Sequence, residues 1–214
     1  MSIRGAIFDL DGTLTDSMAI WDRAPRELVR RHGGRPPQDL AEALREMGRR
    51  EACGYLRRRF GLAPTVEQLM EEINDIVTEE YRSRVPLKPG AEKLVRRLAA
   101  EGTALCVATA SEVFQARLAL ERLGIWGHFA FAVSCIQWGG KTGPAIYQEA
   151  ARRLGLPPEQ VVVFEDALHA ARTAAGAGFP VAGVYDDSAA GDRAAMEQVC
   201  TWYVEDLDEW RENR

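Results

Sequence analysis

Residues 6–17, AIFDLDGTLTDS, are the most informative stretch of this chain, because they combine a short apolar strand with two aspartates at its end. Ala6 to Phe8 have the apolar character of a buried strand, and Asp9 and Asp11 follow at the point where such a strand leaves the core. A buried carboxylate is costly unless it is paired with a cation or binds a metal. The stretch therefore predicts a cationic partner at the end of the first strand.

Strand-like apolar runs alternate with amphipathic helical segments along most of the chain. The predicted strands are residues 5–8, 104–108, 129–134, 161–164, 180–185 and 201–204. The predicted helices between the later strands include 91–101, 112–123 with Ser111 as its N-cap, and 144–154. Because nearly continuous apolar strands are buried on both faces, the pattern predicts an α/β fold, a Rossmann-like parallel sheet with helices on both faces.

The alternation is interrupted once, between the first and second strands, where residues 9–103 contain no strand-like run. Predicted helices fill this stretch instead, at 18–32, 38–47, 49–60 and 66–81, with a capping box of Thr65 and Gln68 and a kink or restart at Pro25. A parallel crossover needs only about a dozen residues. We therefore expect a helical cap domain at 17–86, inserted into a catalytic core of 1–16 and 87–214.

Composition excludes several classes of partner. The net charge of −5 gives no electrostatic basis for binding nucleic acid or an anionic membrane. No apolar stretch approaches the roughly 18 residues of a membrane span, and the four scattered cysteines are expected to be free thiols. We expect a cytoplasmic protein without a nucleic-acid or membrane partner, monomeric or, as the alternative, a weak dimer.

Side chains that bind ions or phosphate follow four of the predicted strands, at the edge where α/β sheets bind ligands. They are Asp9 and Asp11, Thr109 and Ser111, Lys141, and Glu165 with Asp166. Lys141 is one of only three lysines beside 24 arginines, so its place in a loop after the third strand is informative.

The spacing of Asp9 and Asp11 suggests a division of labour, since residues i and i+2 of an extended chain lie on one side, roughly 6.5 Å apart. Asp9 is ionised at neutral pH and can attack a phosphoryl group, provided that cations offset the charge. Asp9, Asp166 and a backbone carbonyl are the oxygen ligands that Mg²⁺ prefers. Lys141, Thr109 and nearby N–H groups would bind phosphoryl oxygens. Asp11 would protonate the leaving oxygen and then activate water.

Four segments in this order resemble the motifs of the haloacid dehalogenase-like superfamily, in its cap-bearing phosphatase and phosphomutase branch. The segments are DLDGTLTDS, VATAS, Lys141 and VFEDA. The resemblance implies Asp9 as nucleophile, Asp11 as acid/base, Thr109 and Lys141 on phosphate, and Mg²⁺ on Asp9, the Asp11 carbonyl and Asp166. It further implies that Glu165 contacts the metal ligands without binding the metal itself, and that Gly12 and Ala110 are substrate-binding positions. The chain departs from the family pattern at Thr142, Ala167 and Ala170.

Two other interpretations of the aspartate pair remain less complete. A calcium loop starting at Asp9 would need Gly and Glu where the chain has Leu14 and Ile20. A nucleotide-sugar metal site would leave Lys141 and Asp166 unexplained. In the insertion, Arg49 or a neighbour either binds the non-reacting end of the substrate or belongs to a solvated helix face.

The predicted function is a Mg²⁺-dependent phosphatase that hydrolyses a small phosphorylated metabolite through an aspartyl-phosphate. The alternatives are a sugar phosphomutase of the β-phosphoglucomutase type and a non-catalytic binding protein with the same fold. Within the resemblance, Asp11 disfavours a dehalogenase, and the absence of lysine from 17–86 disfavours a phosphonate-cleaving enzyme. Trp21 stands where the mutase commonly has His.

Overall fold

Six parallel strands form one sheet within the residues that the computed structural model describes, 2–44, 47–138 and 140–212. The strands are β1 (Gly5–Phe8), β2 (Ala104–Thr109), β3 (Phe131–Ser134), β4 (Val161–Glu165), β5 (Val181–Val184) and β6 (Trp202–Val204). Their order in the sheet is β3-β2-β1-β4-β5-β6. The predicted parallel α/β sheet is confirmed, and the order reverses between β1 and β4, which is where such sheets bind ligands.

Nine α-helices accompany the sheet in the described residues. They are α1 (Met18–Arg31), α2 (Leu40–Leu44), α3 (Arg49–Phe60), α4 (Val66–Ser83), α5 (Ala91–Ala100), α6 (Val113–Arg122), α7 (Ala145–Leu154), α8 (Leu168–Gly176) and α9 (Arg193–Val199). Buried residues of α7, α8 and α9 form one core with alternate strand residues such as Ile7, Val163 and Val181. Helices α5 and α6 contact β2 and β3 but do not contribute to that core, so helices cover both faces of the sheet.

Aromatic rings fill the second face of the sheet. Phe8 and Phe164 lie opposite each other in the register of β1 and β4, and their rings stack with centroids 4.3 Å apart. Trp210 meets Phe164 edge-on at 5.3 Å, and Phe129 meets Phe8 in the same way at 6.0 Å. The chain segment around Trp210 therefore closes this face although it lies beyond the last strand.

The described structure divides into two compact units, Met1–Asp16 with Val85–Arg214, and Ser17–Arg84. In the second unit α1 packs on α4, and α4 begins with the predicted capping box of Thr65 and Gln68. The predicted restart at Pro25 is wrong, because α1 continues through Pro25 as one helix.

The remaining predictions for the second unit concern two of its helices. The prediction for 49–60 matches α3. Of the predicted helix 38–47, the structure has α2 at Leu40–Leu44, and positions 45 and 46 lie outside the described residues.

The two segments that lead out of and back into the first unit pair with each other as a short ribbon. Lys88 donates its backbone N–H to Leu14 at 2.9 Å, and Asp16 donates to Pro86 at 3.0 Å. The Lys88 ammonium also pairs with Asp186, just beyond β5, at 2.9 Å, and both side chains are nearly buried. The ribbon is thus tied to the end of β5, at the edge of the sheet where the polar residues that follow the strands also lie.

Candidate active site

The strand order brings the first and fourth polar segments together, because β1 lies directly beside β4. Asp9 follows β1 and donates its N–H to the carbonyl of Phe164 at 3.0 Å. Glu165 is the last residue of β4, and Asp166 follows it. Asp9, Glu165 and Asp166 are all buried. Three carboxyl groups are therefore gathered at the carboxyl ends of two neighbouring strands.

Lys141 is the cationic partner that the buried aspartate pattern predicted. Its ammonium group contacts Oδ1 of Asp9 and Oε1 of Glu165, and only 7% of the residue is exposed. The loop between β3 and α7 carries Lys141, so this side chain arrives from a third segment of the sheet edge. Because the ammonium bridges two carboxylates, Lys141 offsets much of the negative charge that the strand ends accumulate.

The carboxylate oxygens of this cluster have the chemistry and the spacing of the ligands in a cation site. One carboxylate oxygen each from Asp9, Glu165 and Asp166 lie within 4.8 Å of one another. Asp166 also accepts a hydrogen bond from the Thr13 hydroxyl at 3.0 Å. Buried carboxylate oxygens in this arrangement suit a hard divalent cation such as Mg²⁺. Asp9 and Asp166 were predicted as ligands, and Glu165 as a supporting residue.

Gly12 makes room for Asp166. Its φ is +83°, and a Cβ at this position would lie 2.4 Å from Oδ2 of Asp166. A side chain is excluded here both by the left-handed backbone and by the carboxylate. The glycine after the aspartate pair thus lets the loop approach the acidic group at the end of β4.

Burial governs the protonation of the cluster. Burial, followed by the charge of Glu165, raises the pKa of Asp166 to about 7. Burial likewise raises the pKa of Asp9 well above its usual range, and the opposing attraction of Lys141 does not cancel it. Burial would lower the pKa of Lys141, but the carboxylates of Asp9 and Glu165 raise it. A second cation beside Lys141 would restore the ionised form of the aspartates.

Asp11 and Thr109 are linked through Ser111. The Ser111 hydroxyl donates to Oδ2 of Asp11 at 2.7 Å, and the Ser111 N–H donates to the Thr109 hydroxyl at 2.9 Å. The prediction of Ser111 as a helix N-cap is wrong, because Glu112 caps α6 in a capping box with Gln115. Ser111 instead precedes the N-cap by one residue, and its side chain reaches Asp11 after the first strand.

Tyr147 is a site residue that the sequence pattern did not reveal, because it fits the apolar face of the helix at 144–154. Its hydroxyl donates to Oε1 of Glu165 at 2.7 Å, and the residue is completely buried. Thr13 was also missed. For Tyr147 the one signal in the sequence is a tyrosine on a helix face predicted to be buried, since a buried phenol needs a hydrogen-bond partner.

Two predicted substrate-binding positions remain, Ala110 in the first unit and Arg49 in the second. Ala110 is exposed, directly after β2. Arg49 belongs to the second unit, where its guanidinium lies over the ring of Trp21, 5.7 Å from the centroid. The predicted substrate contact of Arg49 stays a prediction.

Two general expectations can be compared with the described structure. The four cysteines are free, as predicted. Among the helices of the described residues, none combines the length and the apolar character that crossing a bilayer requires.

Known proteins resemble this chain over most of its length. A family model described as haloacid dehalogenase-like hydrolase matches residues 3–178. The phosphorylated carbohydrates phosphatase of Thermotoga maritima is 26% identical over 177 residues, covering 82% of each chain. Hexitol phosphatase A of Escherichia coli is 30% identical over 169 residues, covering 78% of this chain and 76% of the relative. The crystal structure of CbbY from Rhodobacter sphaeroides in complex with phosphate has 22% identity and a TM-score of 0.80, covering 97% and 96% of the chains.

Proposed function

This chain belongs to the haloacid dehalogenase-like hydrolase family, and from that premise we propose that it hydrolyses a small phosphate monoester through an aspartyl-phosphate at Asp9. The observation that carries the proposal is the buried contact of Asp9 with Lys141, beside the carboxyl groups of Glu165 and Asp166. A nucleophilic carboxylate, a fixed cation and a divalent-cation site are the parts that phosphoryl transfer requires.

In the first step Asp9 attacks phosphorus and the bond to the leaving oxygen breaks. Lys141 offsets the repulsion between the carboxylate and the phosphoryl oxygens, and the Thr109 hydroxyl binds one of these oxygens together with the N–H group of Ala110. Asp9, Asp166 and the Asp11 carbonyl would hold Mg²⁺, which when bound neutralises further phosphoryl charge. These roles require no proton on Asp9.

Asp11 carries the protons in both steps. Its carboxyl group gives a proton to the leaving oxygen, and the resulting carboxylate then takes a proton from the water that attacks the aspartyl-phosphate. The hydrogen bond from Ser111 supports this role, because it fixes the orientation of the Asp11 carboxyl group. The products are inorganic phosphate and an alcohol, and Asp9 is regenerated.

Sugar phosphates are the proposed substrate class. The relatives named as a phosphorylated carbohydrates phosphatase and a hexitol phosphatase support this class. We propose that the unit Ser17–Arg84 acts as the cap that excludes water and that Arg49 contacts the non-reacting end of the substrate.

A phosphate balance tests the proposal. The purified chain is incubated with Mg²⁺ and a panel of hexose, hexitol and pentose phosphates, and inorganic phosphate and dephosphorylated product are both quantified. We expect equal amounts of the two from at least one substrate, and neither from the Asp9→Asn variant. Isomerised sugar phosphate with almost no free phosphate would establish a mutase instead, and inactivity on the whole panel and on a generic aryl phosphate would refute the hydrolase.

A further inference from the structure

We propose that Tyr147 is a positioning residue that, through Glu165, holds the ammonium group of Lys141 against Asp9. The Tyr147 hydroxyl donates to Glu165, so in this proposal it acts through Glu165 and Lys141 rather than on the reacting atoms. Its contribution is to fix a carboxylate that in turn fixes the lysine.

The hydrogen bonds converge on a single atom. Oε1 of Glu165 accepts from the Tyr147 hydroxyl at 2.7 Å and also contacts the Lys141 ammonium. Glu165 is 1% exposed and Tyr147 is fully buried, so water does not compete for this oxygen. A hydrogen bond to a buried carboxylate is directional as well as strong, and it restricts where that oxygen can lie. The position of the ammonium is thereby restricted too.

The fold keeps Tyr147 itself rigid. It lies near the start of α7, the helix that begins four residues after Lys141, and its ring packs near Phe179 with centroids 6.2 Å apart. Lys141 and Tyr147 belong to one continuous segment, the loop before α7 and the start of that helix. Both side chains reach Glu165 on β4. A long lysine side chain has many rotamers, and a second anchor on its acceptor reduces that freedom.

The lysine content of the chain permits a direct test that needs no substrate. The chain has three lysines, so selective nitrogen-15 labelling gives at most three ammonium signals in an NMR spectrum, assigned by single Lys→Arg variants. Lys141 and Lys88 are buried in ion pairs and are expected to be protected from hydrogen exchange, whereas the Lys93 side chain is 77% exposed. Lys88 is the internal reference, because its partner is Asp186.

In Tyr147→Phe we expect the Lys141 ammonium to exchange at least about tenfold faster, with the Lys88 signal unchanged. The matched control is Phe179→Leu, which loosens the packing around the same ring and leaves the hydroxyl in place. Unchanged Lys141 exchange in Tyr147→Phe would overturn the proposal, and so would equal acceleration in Phe179→Leu, because the role would then be packing alone. If Tyr147→Phe does not fold, Tyr147→Met is measured in its place, because it also removes the hydroxyl and keeps an apolar side chain, with the same two outcomes.

The kinetic consequence rests on the proposed function. We expect kcat of Tyr147→Phe to fall roughly 10- to 100-fold with KM nearly unchanged, since such supporting contacts typically have this effect. A phosphatase with normal kcat in Tyr147→Phe would overturn the positioning role. An inactive wild-type chain would refute the phosphatase, while the exchange measurement would still decide the role of Tyr147.

Discussion

The ammonium group of Lys141 contacts the carboxylate of Asp9, although the two residues are 132 positions apart in the chain. The side chains are only 6% and 8% exposed. In the proposed reaction the same ammonium stabilises the ionised nucleophile and then meets the charge of the incoming phosphoryl group. The same ion pair therefore contributes both to packing at the edge of the sheet and to the proposed phosphoryl transfer.

Replacing Asp9 by Asn should abolish turnover and leave the protein folded. The amide is not a nucleophile, so we expect kcat to fall by roughly 10⁴-fold or more. Because burial makes the charge of Asp9 costly, the melting temperature should not fall. The measurements are phosphate release and thermal unfolding, with Glu149→Gln, at a partly exposed carboxylate, as control. Appreciable activity in the folded variant would assign the nucleophile elsewhere.

Replacing Asp11 by Asn should slow both steps, because the general acid/base is lost. We expect kcat to fall by about 10²- to 10⁴-fold, and Ser111→Ala to cause a smaller loss in the same direction. Acid quenching followed by mass spectrometry should detect phosphorylated Asp9 in Asp11→Asn. Wild-type kinetics in both variants would contradict the assignment, and Ser83→Ala, which removes an exposed hydroxyl on α4, is the control.

Mg²⁺ should stabilise the protein more at pH 8 than at pH 5. An unfolded aspartate titrates near ~3.9, whereas the pKa of Asp166 in the metal-free fold is raised to about 7. The folded state therefore binds more protons between these values, and metal-free stability declines as pH rises from about 4 to 7. A bound cation stabilises the ionised Asp166, so the stability of the metal-bound protein does not decline over this pH range. The measurement is the melting temperature with Mg²⁺ minus that with chelator, which should be larger at pH 8 than at pH 5 in the wild type and close to zero in Asp166→Asn. An equal increase at both pH values would contradict the prediction.

Breaking the ion pair of Lys88 and Asp186 should destabilise the first unit. Lys88→Met leaves a buried carboxylate without its cation, which typically costs about 3 kcal/mol or more. The double variant Lys88→Met, Asp186→Asn should regain part of the loss, since it removes both charges and leaves an acceptor for Ser188. Urea unfolding measures both effects. The exposed Lys93, which lies 3.4 Å from Asp208, is the matched control, and Lys93→Met should cost less than about 1 kcal/mol.

The same pair predicts a pH dependence of opposite sign to that of Asp166. Burial raises the pKa of Asp186, but the hydrogen bonds from Ser188 and Lys88 outweigh burial and bring the pKa below its usual range. The pair therefore stabilises the fold above the unfolded value of ~3.9, and this stabilisation is lost as pH falls through the lower folded value. The difference in unfolding free energy between wild type and Lys88→Met should shrink below pH 4. A difference that stays constant would contradict this.

Arg49→Ala should raise KM for sugar phosphates about tenfold and leave hydrolysis of a small aryl phosphate unchanged, if Arg49 contacts the non-reacting end of the substrate. The matched control is Arg59→Ala on the same helix, whose guanidinium lies 5.5 Å from the Tyr55 ring much as that of Arg49 lies over Trp21. Equal effects in both variants, or none in Arg49→Ala, would place Arg49 on a solvated face.

Local sequence patterns predicted most of the secondary structure and most of the polar side chains of the candidate site. Apolar runs and helical spacing located the strands of the sheet, and the capping box at Thr65 located the start of α4, because both signals depend on residues a few positions apart. The aspartate pair was evident because charged residues followed a predicted buried strand. Lys141 was evident because the chain has only three lysines.

Which of these side chains contact one another depends on the order of the strands and on long-range packing. The strand order sets β1 beside β4, and that neighbourhood brings Asp9 to Glu165 and Asp166. Ser111 and Tyr147 each had an adequate local explanation, as a helix cap and as an apolar-face residue, yet their hydrogen bonds reach Asp11 and Glu165, 100 and 18 positions away. Local spacing encodes helices and strands, whereas a hydrogen-bond partner depends on long-range packing that brings distant segments within about 3 Å.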